Sequence, residues 1–189
     1  FDIGFQALSG AAERNDDLLY ICYDNEAYMN TGIQRSSATP HGAWTTTTPR
    51  AKQGNKKDIL RILAAHQIPY VATACVAFPD DLVAKVKKAK AIRGFRFLQV
   101  LAPCPPGWKF SSEMTIRLGR MAVQSRAFPL VEVENGRDYT ISPMPEKTPV
   151  AKYLRAQGRF KSLSRQEMQQ IQEEIDYQWE SLLRDASRN

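Results

Sequence analysis

Hydrophobic and polar positions along the chain alternate between two periods. Continuous apolar runs at 18–23, 70–77 and 95–101 read as strands buried on both faces. Between them lie helical patterns. Residues 2–15 carry a small-residue face (Ile3, Ala7, Leu8, Ala11, Ala12). Residues 55–66 place Ile59, Leu60, Ile62 and Leu63 on one side. Residues 79–91 open with Pro79, Asp80 and Asp81, a favourable first turn, and bury Leu82, Val83, Val86 and Ala89. After 101 a helix is capped by Ser111 or Ser112 and runs to Arg126 on Met114, Ile116, Leu118 and Met121. A fourth strand spans 130–134, and Asn135-Gly136 signals a hairpin returning through 139–141.

Prolines 143, 145 and 149 then mark an exit from the sheet, followed by a short helix at 150–157. Ser164-Arg165-Gln166-Glu167 is a capping box, and Met168, Ile171, Ile175, Trp179 and Leu182 form one stripe behind it. That stripe exceeds what the preceding core needs, so it is expected to pack on a neighbouring subunit. The fold class is therefore α/β: a mostly parallel sheet with helices on both faces, plus a C-terminal helix. We divide the chain into an α/β domain at 1–142 and a C-terminal extension at 143–189.

Two stretches break the alternation. Residues 24–48 have no apolar periodicity and are crowded with Asn, Thr, Ser, Gly and Pro, yet hold Tyr28, Met29, Ile33 and Trp44. A connection that long in a compact domain is a functional loop or a disordered one. Its hydroxyls, amides and glycines suit a phosphorylated ligand with a hard cation; a polar surface loop is the alternative. The second stretch, 102–108, sets Cys104 between prolines and ends at Trp108. In parallel sheets ligands bind outside the carboxyl ends of strands. Both loops leave such ends, so they share one edge.

Bulk properties narrow the classes. A chain of 189 residues can bury a substantial core. No apolar run is long enough to span a membrane and no signal-peptide pattern opens the chain, so neither a membrane nor secretion is expected. The first residue is not Met, so a processed chain or a segment of a longer polypeptide is expected. A formal charge of +6 raises nucleic acid as a partner. The basic residues are scattered, however, and Lys85, Lys87, Lys88 and Lys90 read as a solvated helix end; nucleic acid is not expected, whereas a basic face would suit an acidic electron carrier. Three cysteines (Cys22, Cys75, Cys104) do not make a disulfide framework and fit a reducing, cytoplasmic compartment. Cys22 and Cys75 lie in apolar runs and read as core; His66 reads as structural.

The run Asp24-Asn25-Glu26-Ala27-Tyr28-Met29-Asn30-Thr31-Gly32, continuing through Gln34-Arg35-Ser36-Ser37-Ala38-Thr39-Pro40, resembles the thiamine diphosphate loop of 2-oxoacid:ferredoxin oxidoreductases. More specifically, it is similar to the β subunit of the multi-subunit enzymes. The resemblance implies the thiamine diphosphate-binding fold and thiamine-dependent oxidative decarboxylation of a 2-oxoacid such as pyruvate to acyl-CoA and CO₂. Electrons would pass through a [4Fe–4S] cluster to ferredoxin. It implies Mg²⁺ ligation by Asn25 and the Ala27 carbonyl, with Asn30 contacting the cofactor and Thr31, Gly32 and Gln34 beside it. The upstream Gly-Asp-Gly triplet, whose Asp also binds Mg²⁺, would directly precede Phe1-Asp2-Ile3-Gly4. Some relatives carry Thr where Asn25 stands.

Cys104 matches the last thiolate of the cluster, the other three lying upstream. In that family the carboxylate that activates the cofactor belongs to a partner subunit, so the resemblance implies the other subunits, ferredoxin, the 2-oxoacid and coenzyme A as partners. His41 falls inside the loop, and Trp44 and Trp108 would shield the space between cofactor and cluster. An aromatic 2-oxoacid such as phenylglyoxylate is an alternative substrate, and a non-catalytic electron-transfer or interaction module is an alternative role.

Overall fold

In a computed structural model, which describes residues 1–143 and 146–188, five strands form one mixed sheet in the order β1-β3-β2-β4-β5. Pro145 of the proline run lies outside the described residues. β1 (Leu19–Asp24), β3 (Arg96–Leu101) and β2 (Tyr70–Cys75) are parallel neighbours. β4 (Val131–Glu134) runs antiparallel to β2 and pairs with β5 (Asp138–Ile141). The apolar runs explain the centre: all six residues of β2 and of β3 are buried. The Asn135-Gly136 signal holds too. Both residues have positive φ, 52° and 73°, as the mirror-image turn of a tight hairpin requires.

Helices cover both faces. α3 (Pro79–Ala91) packs Ala89, with Leu82 and Val86, against Ala72, Ala74 and Leu98. On the other face α1 (Phe5–Glu13) and α2 (Ile59–Ala65) pack Ala12, Leu60 and Leu63 against Val71, Phe97 and Val133. A third cluster sits at the carboxyl end of the sheet. There α5 (Thr115–Gln124), α6 (Val150–Arg155) and α7 (Arg165–Ala186) close over Cys75 and Leu101. No helix among the described residues is long and apolar enough to cross a membrane.

Several expectations change. β1 stands at the edge of the sheet and is not buried on both faces: Tyr20, Ile21 and Tyr23 are exposed, and so are Ile3 and Val83, which were expected to face inward. α7 folds back on its own domain instead of presenting its stripe to a neighbour: Ile171 and Leu182 are buried, Met168, Ile175 and Trp179 pack on the cores, and Arg61 of α2 pairs with Asp185 at 2.7 Å. Its capping box is present. Lys85 is not solvated; its ammonium donates to the Thr73 carbonyl (2.9 Å), Asp81 (2.8 Å) and Ser142 (3.0 Å) inside the domain. The residues 105–108, read as loop, form a one-turn helix α4 (Pro105–Trp108), because proline is well suited to a first turn. Finally α2 starts at Ile59, not at 55. Asp58 caps it by accepting from the Arg61 amide, and Lys56 and Lys57 lie before the helix with their ammonium groups engaged elsewhere.

Candidate functional site

Asp24, the last residue of β1, pairs in register with Leu101, the last of β3, so the two unusual loops leave the sheet side by side. The first loop turns at once. The Asp24 carboxylate accepts from the Glu26 amide at 2.9 Å, and the Asn25 side-chain oxygen faces the Ala27 amide at a weak 3.4 Å. Glu26, between the two, has φ of 67°, a left-handed conformation that costs a non-glycine residue about 1 kcal/mol. Tyr28 and Gln34 then pair across a tight excursion whose tip is Asn30, Thr31 and Gly32. The Thr31 hydroxyl donates to Gln34 at 2.6 Å, and the tip is exposed. Asp2 staples the start of the chain to this loop by accepting from the Ser37 amide (2.9 Å) and the Tyr28 hydroxyl (3.0 Å).

A cavity of about 160 Å³ opens between the first residues of the chain and this turn; Asn25 and Ala27 line it, with Asp2, Asp24 and Ser36. Asn30, Thr31 and Gly32 stand outside its lining, on the exposed tip. The Ala27 carbonyl accepts no hydrogen bond among the described residues, and the Asn25 oxygen makes only its long one. Two hard oxygen donors two residues apart on one turn, one without a hydrogen bond and one with only a weak one, are the donor chemistry Mg²⁺ takes. The residues present therefore fit a Mg²⁺-held diphosphate.

Directly beneath the turn lies a charge cluster that sequence reading missed. The Lys56 ammonium reaches Asp24 at 2.5 Å and Glu26 at 2.8 Å. Arg159, from the segment before α7, reaches the second oxygen of Glu26 at 2.6 Å, and Gln99 of β3 donates to Asp24 at 2.7 Å. Asp24, Glu26 and Arg159 are buried, and Lys56 is 22% exposed. Burial alone would raise the Glu26 carboxyl; Lys56 and Arg159 outweigh it and hold it below the usual carboxylate range. For Lys56 the balance runs the other way, burial lowering and the two carboxylates raising it. Farther along, the Lys52 ammonium donates to the carbonyls of Thr39 and Asn55 (3.0 Å), gathering the loop around one cation. Burial, with Arg35 and Lys56 nearby, brings it down to about 8. The one available sequence signal was the pair Asp24 and Glu26, acids that need cations once buried.

The second loop meets the first. The Trp108 indole N–H donates to the Asn25 carbonyl at 2.8 Å. At Gly107 a Cβ would stand 2.1 Å from the Met29 sulfur, so the end of the Met29 side chain packs directly on this glycine. Cys104 is half-buried at the start of α4, unpaired, and packed beside the same core. Among the described residues no group of three or more His, Cys, Asp or Glu is placed to hold a metal. Cys75 is fully buried and its thiol is pushed up to about 11 by burial; burial likewise raises Cys22. One thiol cannot hold a [4Fe–4S] cluster, which takes four; Cys104 fits as a single ligand and these residues supply no second.

The remaining expectations resolve simply. His66 bonds to the Ser9 hydroxyl at 3.0 Å. His41 bonds to the Gln53 carbonyl at 2.9 Å, at the rim of a second cavity of about 430 Å³ between the sheet and α7. Trp44 lies under the Lys109 ammonium, 3.0 Å from its ring centre.

Residues 1–100 match the family model of the thiamine pyrophosphate enzyme C-terminal TPP-binding domain. The pyruvate synthase subunit PorB of Methanocaldococcus jannaschii is 55% identical over 93% of this chain and 60% of its own length. The ketoisovalerate oxidoreductase subunit VorB of Pyrococcus abyssi is 50% identical over 96% of this chain and 60% of its own. The chain thus spans about 60% of the length of these curated relatives. Among solved structures, a 2-oxoglutarate:ferredoxin oxidoreductase from Magnetococcus marinus, bound to 2-oxoglutarate, coenzyme A and succinyl-CoA, aligns with a TM-score of 0.53. It shares 28% identity over 56% of this chain and 36% of that one.

Proposed function

The chain belongs to the thiamine pyrophosphate enzymes, as their C-terminal TPP-binding domain, and from that premise we propose that it is the cofactor-holding part of a β subunit of a 2-oxoacid:ferredoxin oxidoreductase. The observation that carries the reading is the Trp108–Asn25 bond. It ties the loop after β3 to the loop after β1 at the edge where an α/β sheet binds ligands.

When bound, thiamine diphosphate supplies the nucleophilic carbon and the electron sink that decarboxylation of a 2-oxoacid needs. This chain holds and orients it. The Asn25 side-chain oxygen and the Ala27 carbonyl would hold Mg²⁺ on the diphosphate, and Asn30, Thr31 and Gly32 would contact the cofactor from the exposed loop tip. The Asp24–Glu26–Lys56–Arg159 cluster keeps the ligating turn rigid. Cys104 would give one thiolate to a [4Fe–4S] cluster completed from elsewhere, and ferredoxin would take the electrons. Trp108, fully buried, would wall off the space between cofactor and cluster. The acyl group would pass to coenzyme A. Other subunits supply the rest of the active site, and three unpaired thiols suit a cytoplasmic enzyme.

Pyruvate is the substrate we favour, from the pyruvate synthase relatives. A branched 2-oxoacid is the second reading, because VorB relatives match nearly as well over 96% of the chain. The discriminating experiment measures kcat/KM of the complete enzyme for pyruvate and 2-oxoisovalerate with a one-electron acceptor. Added methyl groups in a pocket change kcat/KM by about 10–200-fold. Preference for pyruvate on that scale is expected; the reverse preference assigns the branched acid, and no turnover of either ends the reading.

A further inference from the structure

We propose that Arg159, far outside the family-matched residues, is a positioning residue for the Mg²⁺–diphosphate turn: it acts through Glu26 and Trp108 and touches neither ligand. The inference rests on the functional reading above and names a part of that same site.

Asn25 and Ala27 line one cavity, and Glu26 between them is left-handed at φ 67°. A glutamate holds that conformation only where its surroundings over-determine it. Each of its polar groups is tied down. Its amide donates to Asp24 (2.9 Å), its carbonyl accepts from the Thr39 hydroxyl (2.7 Å), and its two carboxylate oxygens take Lys56 and Arg159. Lys56 is shared with Asp24, so Arg159 is the cation that Glu26 has to itself. Its Nε is in turn fixed on Gln157 at 2.9 Å.

The same guanidinium lies 3.8 Å from the centre of the Trp108 ring. Trp108 holds the Asn25 carbonyl, so the stack fixes the ligand-bearing turn from its other side. The backbone around Arg159 joins both loops as well. Its carbonyl accepts from the Trp44 amide at 2.8 Å, and the Gly158 amide donates to the Lys109 carbonyl at 2.9 Å. A planar, permanently charged fork is suited to an ion pair and an aromatic stack at once. Arg159 thus meets both the residue between the two ligands and the ring that holds the Asn25 carbonyl.

The test uses the complete enzyme. Thiamine diphosphate is titrated calorimetrically at fixed Mg²⁺, with Tm of the cofactor-free protein and KM for the 2-oxoacid measured alongside. Removing a group that orients ligands costs roughly 10–100-fold in affinity. Arg159→Met is expected to raise the thiamine diphosphate Kd and the Mg²⁺ requirement on that scale, leaving KM for the 2-oxoacid in place. Arg159→Lys should fold, keep the charge, lose the stack and fall between. Arg61→Met, which breaks the α2–α7 ion pair away from the turn, should lower Tm without moving Kd. Unchanged cofactor affinity in Arg159→Met overturns the proposal; if that variant does not fold, unchanged affinity in Arg159→Lys does so. A Kd shift in Arg61→Met equal to that in Arg159→Met overturns it too. If the wild-type enzyme binds no thiamine diphosphate, the functional reading itself falls, and this inference with it.

Discussion

Lys56→Met is expected to be the most destabilising single substitution in the cluster beneath the turn. Lys56 bonds both Asp24 and Glu26, at 2.5 and 2.8 Å, and both acids are buried. With Arg159 the four residues carry two negative and two positive charges, so the cluster is neutral. Removing one cation leaves two buried carboxylates to a single arginine that pairs with Glu26 and not with Asp24. Breaking a buried pair from one side costs about 3–5 kcal/mol, because the stranded charge has lost its hydration and its partner. For a domain of this size that lowers Tm by roughly 10 °C. Lys56→Met/Glu26→Gln restores neutrality and should recover more than half of the loss. Thermal unfolding of the two variants in the complete subunit checks this. A drop of a degree or two for the single variant, or no recovery in the double, would show that solvent already screens the cluster.

Cys104→Ser carries the second large effect. Cys75 and Cys22 have thiols raised by burial, so neither is poised as a thiolate ligand. Cys104 is half-buried at the mouth of α4, where Pro103 and Pro105 fix its backbone. As one of four cluster ligands, its replacement by a harder oxygen should cost most of the iron, along with ferredoxin reduction. Thiamine diphosphate affinity should survive, since the Mg²⁺ donors are on the other loop. Cys75→Ser gives the contrast: lower Tm from a polar atom in the core, with full iron. Iron per subunit, read beside electron paramagnetic resonance of the reduced enzyme, decides between them. Full iron and normal electron transfer in Cys104→Ser would return that residue to packing.

Local pattern carried the sheet. β2 and β3 are buried along their whole length, and unbroken apolar runs are what such strands need. Asn135-Gly136 was legible for the same reason, a backbone conformation with few residues able to adopt it. The Asp24–Gly32 motif was legible as a family signature. Its support was not. Arg159 meets Glu26 across 133 positions and Lys56 meets it across 30, and no periodicity encodes a pairing that distant. The α7 stripe showed an apolar face without showing its partner, which turned out to be the chain's own sheet and helices. Lys85 read as solvated because its helix ends in lysines; its burial depends on Ser142, a residue from after β5.

The central claim is that the turn at Asn25 to Ala27 holds Mg²⁺ and, through it, thiamine diphosphate. The most direct measurement is calorimetric titration of thiamine diphosphate into the complete enzyme, with and without Mg²⁺, for wild type and Asn25→Leu. Leucine keeps the side chain's bulk and removes the amide oxygen. Wild type should bind only with Mg²⁺, and losing one of few metal ligands should weaken Asn25→Leu by roughly 100-fold or more, at unchanged Tm of the cofactor-free protein. Equal affinity in the two proteins, or binding indifferent to Mg²⁺, would contradict the account.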